Sequence, residues 1–197
     1  MSRDNFLQRK NAILSKADKS SVGKWDDKIK SLCEKINKSE NFYTTSSCSG
    51  RVVLMVEQDK KSPDLFLEVS HDIISFEWLK KSIKKISDDK KLKNNLIKFK
   101  LEQPILHIIC RDLNSASETL DKALHIGFRR SGINSIGKRI LLELNSTERL
   151  EFPVVQNGNV LVSDEFLKLI VKLSNEKLKS GWKKIEKLQF LTEGKKS

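Results

Sequence analysis

The sequence predicts an α+β fold, a mixed and largely antiparallel sheet with flanking helices, on three observations. Short β-branched or alternating runs crowd the middle of the chain: Tyr43 to Cys48, Val52 to Glu57, Leu65 to Ser70, Leu96 to Leu101 and Ile105 to Cys110. Segments of helical period precede, interrupt and follow them. The glycine fingerprints of doubly wound nucleotide folds are missing. Gly127, Gly132 and Gly137 recur every five residues, but neither G-x-G-x-x-G nor a P-loop occurs, so a Rossmann-type architecture is not expected.

Each element has a local reason. Asn5 to Ala17 carries Phe6, Leu7, Ile13 and Leu14 at roughly helical spacing and runs into the polar stretch Lys16 to Lys24. Residues 1–24 are therefore expected to be a helical arm with its linker, and residues 25–197 a single domain. Trp25, Ile29, Leu32, Cys33 and Ile36 step by four and three along one helix face that ends near Asn37. Turns at Ser49-Gly50 and at Lys61-Ser62-Pro63-Asp64 separate the first three strands. Ser75 or Asp72 can cap a helix carrying Phe76, Leu79, Ile83 and Ile86. Ser115 to Ile126 reads as a helix stopped by Gly127, whose lack of a Cβ suits a left-handed C-terminal cap. Phe128 to Ile133, Arg139 to Leu144, Glu151 to Val155 and Val160 to Val162 read as strands. Ser163 caps a last helix, Asp164 to Leu188, with Phe166, Ile170, Val171 and Leu173 facing inward.

At 38% hydrophobic and 32% charged residues, the chain is too apolar for disorder and too polar for a membrane protein. No run approaches the length of a spanning helix, and the N-terminal stretch lacks the apolar core of a secretory signal, so a cytoplasmic location is expected. Cys33, Cys48 and Cys110 lie far apart without a C-x-x-C pair, which indicates neither a disulfide framework nor a zinc site. The net charge of +12 is localised. Residues 80–100 hold nine Lys against two Asp, residues 129–139 four bases and no acid, and residues 168–196 nine Lys against three Glu. The rest of the chain is slightly acidic. Basic tracts on such a body suit a polyanionic partner, nucleic acid above all, although lysine faces of solvated helices produce the same pattern.

The stretch Tyr43-Thr44-Thr45-Ser46-Ser47-Cys48-Ser49-Gly50-Arg51 places six consecutive hydroxyl or thiol residues before Gly and Arg. A turn at Ser49-Gly50 would let backbone N–H groups approach a ligand, with hydroxyls as further donors and Arg51 as a planar fork for carboxylate or phosphate. Cys48 beside Arg51 is also readable as an activated nucleophile, and the whole stretch as a polar hairpin. His71 follows a strand in Val69-Ser70-His71-Asp72, whereas His107 lies within one. Alternation puts Ile105, His107 and Ile109 on one face and Leu106, Ile108 and Cys110 on the other, with Arg111 at the rim. A histidine in an apolar strand is ordinarily a satisfied core residue; here it can also line a site. His125 falls on a helix surface. Gly127 to Ile133 forms a second glycine-bounded basic loop, in which Arg129 and Arg130 alternate on a strand. Lys168, Lys172, Lys179, Lys183 and Lys187 could track a phosphate backbone or simply face solvent.

These blocks, in this order, resemble the signature of the wybutosine-synthesizing methyltransferases of the third pathway step. The resemblance rests on YTTSSCSGR from Tyr43, VSHD from Val69, PILHIICRD from Pro104, ALHIGFRRSGI from Ala123, LEFP from Leu150 and LVS from Leu161, and covers about Trp25 to Leu188. It implies an α+β fold distinct from Rossmann-type methyltransferases. It also implies an S-adenosylmethionine-dependent enzyme that methylates N4 of the tricyclic wyosine precursor beside the anticodon of phenylalanine tRNA, after its 3-amino-3-carboxypropyl tail has been added. On that reading Ser46, Ser47, Ser49, Gly50 and Arg51 bind the cofactor or the substrate tail, and Cys48 is structural. His107 is the candidate base with His71 second, and Arg111, Arg129, Ser131 and Gly132 hold substrate. A non-catalytic tRNA-binding module, or a Cys48-dependent transferase, are the alternatives.

Overall fold

The structure, a computed structural model, describes residues 3–15, 26–58 and 65–191. In chain order the elements are α1 (Arg3–Leu14), α2 (Asp27–Lys38), β1 (Phe42–Cys48), β2 (Arg51–Val56), β3 (Phe66–Ser70), α3 (Phe76–Ser87), a 3-10 turn (Lys90–Leu92), β4 (Leu96–Glu102), β5 (Ile105–Cys110), α4 (Leu113–Ile126), β6 (Gly132–Ser135), β7 (Ile140–Asn145), β8 (Leu150–Gln156), β9 (Asn159–Val160) and α5 (Asp164–Leu191). Contacts divide them into two compact units, residues 1–49, 104–147 and 181–197 in the first and residues 50–103 and 148–180 in the second.

The first unit holds a four-stranded sheet in the order β1-β5-β7-β6, with every pairing antiparallel. Strand alternation sends Leu106, Ile108 and Cys110 of β5 and Leu142 and Leu144 of β7 to one face. There they pack with Ile29, Leu32, Cys33 and Ile36 of α2, Ala116 and Ala123 of α4, Phe128, and Ile185 and Leu188 of α5. Each of these large side chains is worth ~1.5–3 kcal/mol when fully buried, so this face anchors the unit. On the other face Phe6 of α1 packs with Tyr43 and Ile109, with Leu7 and Leu141 beside them and the Phe6 and Tyr43 rings 5.3 Å apart.

The second unit holds a five-stranded antiparallel sheet, β3-β2-β4-β8-β9. Val52, Leu54, Ile97, Phe99 and Leu101 are buried in it. Phe99 stacks on Phe152 at 5.0 Å, and Phe152 meets the edge of Phe166 at 5.2 Å, tying the start of α5 to the sheet. Asn175 closes the reverse link, accepting from the Ile74 N–H at 2.9 Å and donating to the Ile74 carbonyl at 2.8 Å.

The α+β, antiparallel expectation holds, and no parallel pairing occurs among the described strands. Ser75, not Asp72, caps α3, accepting from the Trp78 N–H at 3.1 Å. Gly127 ends α4 with φ 113°. Trp25, the linker at residues 16–24 and the turn at residues 61–64 lie outside the described residues.

Three expectations need correction. Ser49-Gly50 does not close a hairpin, because β1 pairs with β5 while β2 pairs with β3 and β4. Phe128 to Arg130 is not strand: Ser131 Oγ donates to the Phe128 carbonyl at 2.6 Å and ties off a turn, so β6 begins only at Gly132. In α5 the inward row is Leu167, Ile170, Ser174 and Leu178, then Ile185 and Leu188, whereas Phe166 is 37% exposed. Ile170 faces inward as expected, while the buried places expected for Phe166 and Leu173 fall to the next residues, Leu167 and Ser174, within the tolerance of a 3.6-residue period.

Candidate functional site

The first residues of the serine-rich stretch serve the fold. Tyr43 is buried against Phe6, and burial pushes its phenol up from the usual range. Thr44 is fixed to the end of α2, its N–H donating to Asn37 Oδ1 at 2.7 Å and Asn37 Nδ2 donating to its hydroxyl at 3.0 Å. A register shift between Thr44 and Ser47 then lets Thr45 and Ser46 share one place on the ladder. The bulge leaves Ser46 exposed. Beyond it, the hydroxyl oxygens of Ser47 and Ser49 are buried without hydrogen-bond partners among the described residues. Leaving a buried hydroxyl unmatched costs on the order of 1–3 kcal/mol, which marks this end of the strand as shaped for something other than stability. The Ser49 N–H donates to Asp26 Oδ2 at 2.9 Å, while Asp26 Oδ1 is also buried and unmatched.

Register assembles a second feature beside the first. Thr44 pairs with Ile108 and Ser47 with Leu106, so the bulge stands opposite His107; His107 stands opposite Glu143, and Glu143 opposite Gly132. Cross-strand partners share a face. His107 Nε2 lies 2.8 Å from Glu143 Oε2, and Asn145 Nδ2 donates to Glu143 Oε1 at 2.5 Å. The His107 and Glu143 side chains retain 27% and 26% of their exposure, so the pair is reachable yet partly desolvated. The result is an imidazole oriented by a carboxylate that is itself held by an amide.

Arg111 sits past the far end of β5, where its N–H donates to the Asn41 carbonyl at 2.9 Å and its Nη1 to Asn41 Oδ1 at 3.3 Å. Four strand residues, about 13 Å, separate it from His107. Arg129 is exposed on the turn after α4 rather than on a strand. The Ser131 hydroxyl is spent on the fold, donating to Phe128 and accepting from the Asn145 N–H at 3.0 Å. Gly132 occupies the edge of the His107 row, but an added Cβ there would meet nothing closer than 3.7 Å. Gly50 and Arg51 belong to the second unit. Gly50 has φ 97°, which requires glycine, and Arg51 Nε donates to Glu102 Oε2 at 2.6 Å with its guanidinium 4.9 Å from the Phe66 ring centre. His71 is also in the second unit, half-buried after β3. His125 is on the surface, its Nδ1 2.7 Å from the Asp121 carbonyl.

The basic tracts are less uniform than their counts suggest. In the first, Lys80 pairs with Asp164, Lys85 with Glu68, Lys98 with Glu57 and Glu151, and Lys100 with Glu151. Lys81, Lys84, Lys90, Lys91 and Lys93 remain exposed. In the second, Arg129, Arg130, Lys138 and Arg139 are all exposed. No helix of the described residues is long and apolar enough to cross a membrane.

Sequence reasoning missed Glu143, Asn145 and Asp26. Glu143 alternates with leucines in a predicted strand, but nothing local says that strand lies beside His107. Asp26 precedes a helix and reads as an ordinary cap.

Residues 8–191 match the family model described as Methyltransferase TYW3. A protein of Methanocaldococcus jannaschii named tRNA(Phe) 7-((3-amino-3-carboxypropyl)-4-demethylwyosine(37)-N(4))-methyltransferase is 35% identical over 179 residues, spanning 88% of this chain and 90% of that one. A protein of the same name from Thermococcus sibiricus is 35% identical over 193 residues, spanning 94% and 93%. The solved structure of PH1069 protein from Pyrococcus horikoshii superimposes with a TM-score of 0.84 at 30% identity, covering 96% of this chain and 97% of that one. The match runs through both sheets and through the serine-rich strand and the His107 row alike, and the chain belongs to the Methyltransferase TYW3 family.

Proposed function

We propose that this protein is an S-adenosylmethionine-dependent methyltransferase acting in the cytoplasm on N4 of the 7-(3-amino-3-carboxypropyl)-4-demethylwyosine base beside the anticodon of tRNA(Phe). The observation that carries the reading is the His107–Glu143–Asn145 chain on a partly open sheet face, in a chain whose relatives bear that activity in their names.

The residues present fit the amino acid end of the donor, because Ser47 and Ser49 offer buried hydroxyls without a hydrogen-bond partner among the described residues. Ser46 is exposed at the bulge beside them. S-adenosylmethionine supplies an activated methyl group on a sulfonium, so the protein's work is alignment, proton removal and exclusion of water. Methylation at N4, with cleavage of the donor's sulfur–methyl bond, would release one proton. With the Nε2 proton of His107 directed at Glu143, the Nδ1 lone pair is the one free to take it. The charge the ring then bears faces the Glu143 carboxylate, and Asn145 keeps that carboxylate from rotating.

Arg129, Arg130, Lys138 and Arg139 are proposed to meet tRNA phosphates, and residues 25–197 to serve both catalysis and RNA binding. For Gly50, Arg51, His71 and Arg111 the support is the motif resemblance rather than assembly around His107.

Incubating the protein with S-adenosylmethionine and tRNA(Phe) carrying the tailed precursor should add one methyl to that base, as read by nucleoside mass spectrometry. Folded protein that leaves the base unmethylated would end this reading.

A further inference from the structure

The first unit contains a half-buried carboxylate, with one oxygen fully covered, that the mechanism above does not use. Asp26 occupies the N-cap of α2 with φ −67° and ψ 150°, yet its side chain makes no capping hydrogen bond. The helix start is closed by main chain instead, the Ile29 and Lys30 N–H groups each donating to the Asp26 carbonyl at 3.2 Å. An N-cap aspartate ordinarily turns its carboxylate onto the N–H groups of the first turn. This one is turned onto the end of the serine-rich strand.

There Oδ2 accepts the Ser49 N–H at 2.9 Å, and Oδ1 is buried without a donor among the described residues. Ser49 is 0% exposed, and its hydroxyl, like that of Ser47, has no partner. Lys28, two residues further on, is engaged over the Trp182 ring at 5.0 Å. One small region thus holds an anionic acceptor in want of a donor and hydroxyls in want of an acceptor. Buried polar groups are normally matched, and the complement of this set is a zwitterion: an ammonium for the carboxylate, a carboxylate for the hydroxyls.

We propose that Asp26 is the ammonium acceptor of a binding site for a 3-amino-3-carboxypropyl group, with Ser47 and Ser49 donating to that group's carboxylate. The proposal rests on the methyl-transfer reading and names the atom that takes the cationic end. The same group occurs twice in that reaction, as the amino acid end of the donor and as the tail of the base. Its chemistry is shared, and the sources are separable.

Calorimetry on the full chain tests this with four ligands: S-adenosylmethionine, 5′-methylthioadenosine, which lacks the amino acid end, and tRNA(Phe) with and without the tail. Asp26→Asn should weaken either S-adenosylmethionine or tailed tRNA at least tenfold while leaving the matching ligand without the group within twofold. Whichever ligand moves identifies the source. Asparagine still offers an oxygen to the Ser49 N–H, and circular dichroism checks the fold. Ser49→Ala, which keeps that N–H, should weaken the same ligand threefold or more and serves if Asp26→Asn does not fold. Equal losses for ligands with and without the group, or no loss in either variant, overturn the proposal while leaving methyl transfer standing. Wild-type protein that binds neither S-adenosylmethionine nor tailed tRNA removes the methyl-transfer reading and this proposal with it.

Discussion

His107 and Glu143 face each other across the β5–β7 ladder, with Nε2 of one 2.8 Å from Oε2 of the other and both about three-quarters covered. A strand histidine satisfied by hydrophobic neighbours would need no such partner. If Nδ1 removes the N4 proton, His107→Ala should lower single-turnover methyl transfer on the order of 100-fold or more, with donor affinity changed less than threefold. Glu143→Gln, which keeps a hydrogen-bonding group but not the charge, should cost on the order of 10- to 100-fold. Unchanged single-turnover rates in His107→Ala would return the pair to a purely structural role.

That pair also shows where sequence reading stops. The helices α2, α3 and α4 follow from apolar spacing and caps, because both signals lie within a few residues of each other. The alternation on β5 is equally local, and it places His107 on the half-exposed side. What alternation cannot supply is a neighbour. Glu143 is 36 residues away, and strand pairing depends on which loops close which ladder. The same limit applies at Ser49-Gly50. Two adjacent strand-like runs suggest a hairpin, but β1 finds its partner in β5 and β2 in β3 and β4, so a local turn signal was really a passage between sheets. Asp26 was hidden for a different reason: its sequence position favours capping, and the side chain adopts the opposite direction.

Gly181 tests the packing of α5 in the first unit. Helix propensity favours alanine there by ~0.5–1 kcal/mol. However, a Cβ at that position would stand 2.8 Å from Pro104 Cγ and 3.0 Å from its Cδ. A proline ring cannot swing aside as a lysine tip can, so overpacking of ~1–3 kcal/mol should win. Gly181→Ala is expected to lower Tm by roughly 2–6 °C. A raised Tm would show that the helix shifts freely over Pro104.

Glu151 gathers three cations on the second sheet: Arg149, Lys100 and Lys98. The Arg149 hydrogen bond, followed by those from Lys100 and Lys98, pulls its carboxyl down to about 2 from an ordinary 4.5. A depressed carboxyl stabilises the fold above its unfolded value, and the contribution is lost as pH falls through the folded one. Because water screens this partly open cluster, about 1 kcal/mol is the expected size at pH 7. Glu151→Gln should therefore reduce Tm at neutral pH, and the gap from wild type should close between about pH 4.5 and pH 2. A gap that stays constant across that window would exclude charge as its origin.

The cysteines separate methyl transfer from covalent catalysis by a thiol. Cys33 and Cys110 are buried, and burial, reinforced by Asp112, pushes the Cys110 thiol up to about 12, so almost no thiolate exists there at neutral pH. Cys48 is only half-buried, in register with Ile105 and two residues along the ladder from the His107 place. Iodoacetamide at pH 7.5 should accordingly label one thiol in the folded protein, Cys48, and the other two only after unfolding. Attack on a sulfonium methyl by a ring nitrogen needs no thiolate intermediate. Cys48→Ser should keep single-turnover methyl transfer within about threefold, since it preserves a small polar side chain at the strand end. Abolished transfer in a folded, donor-binding Cys48→Ser protein would instead place the sulfur in the reaction, and His107 would then have to be read as its base.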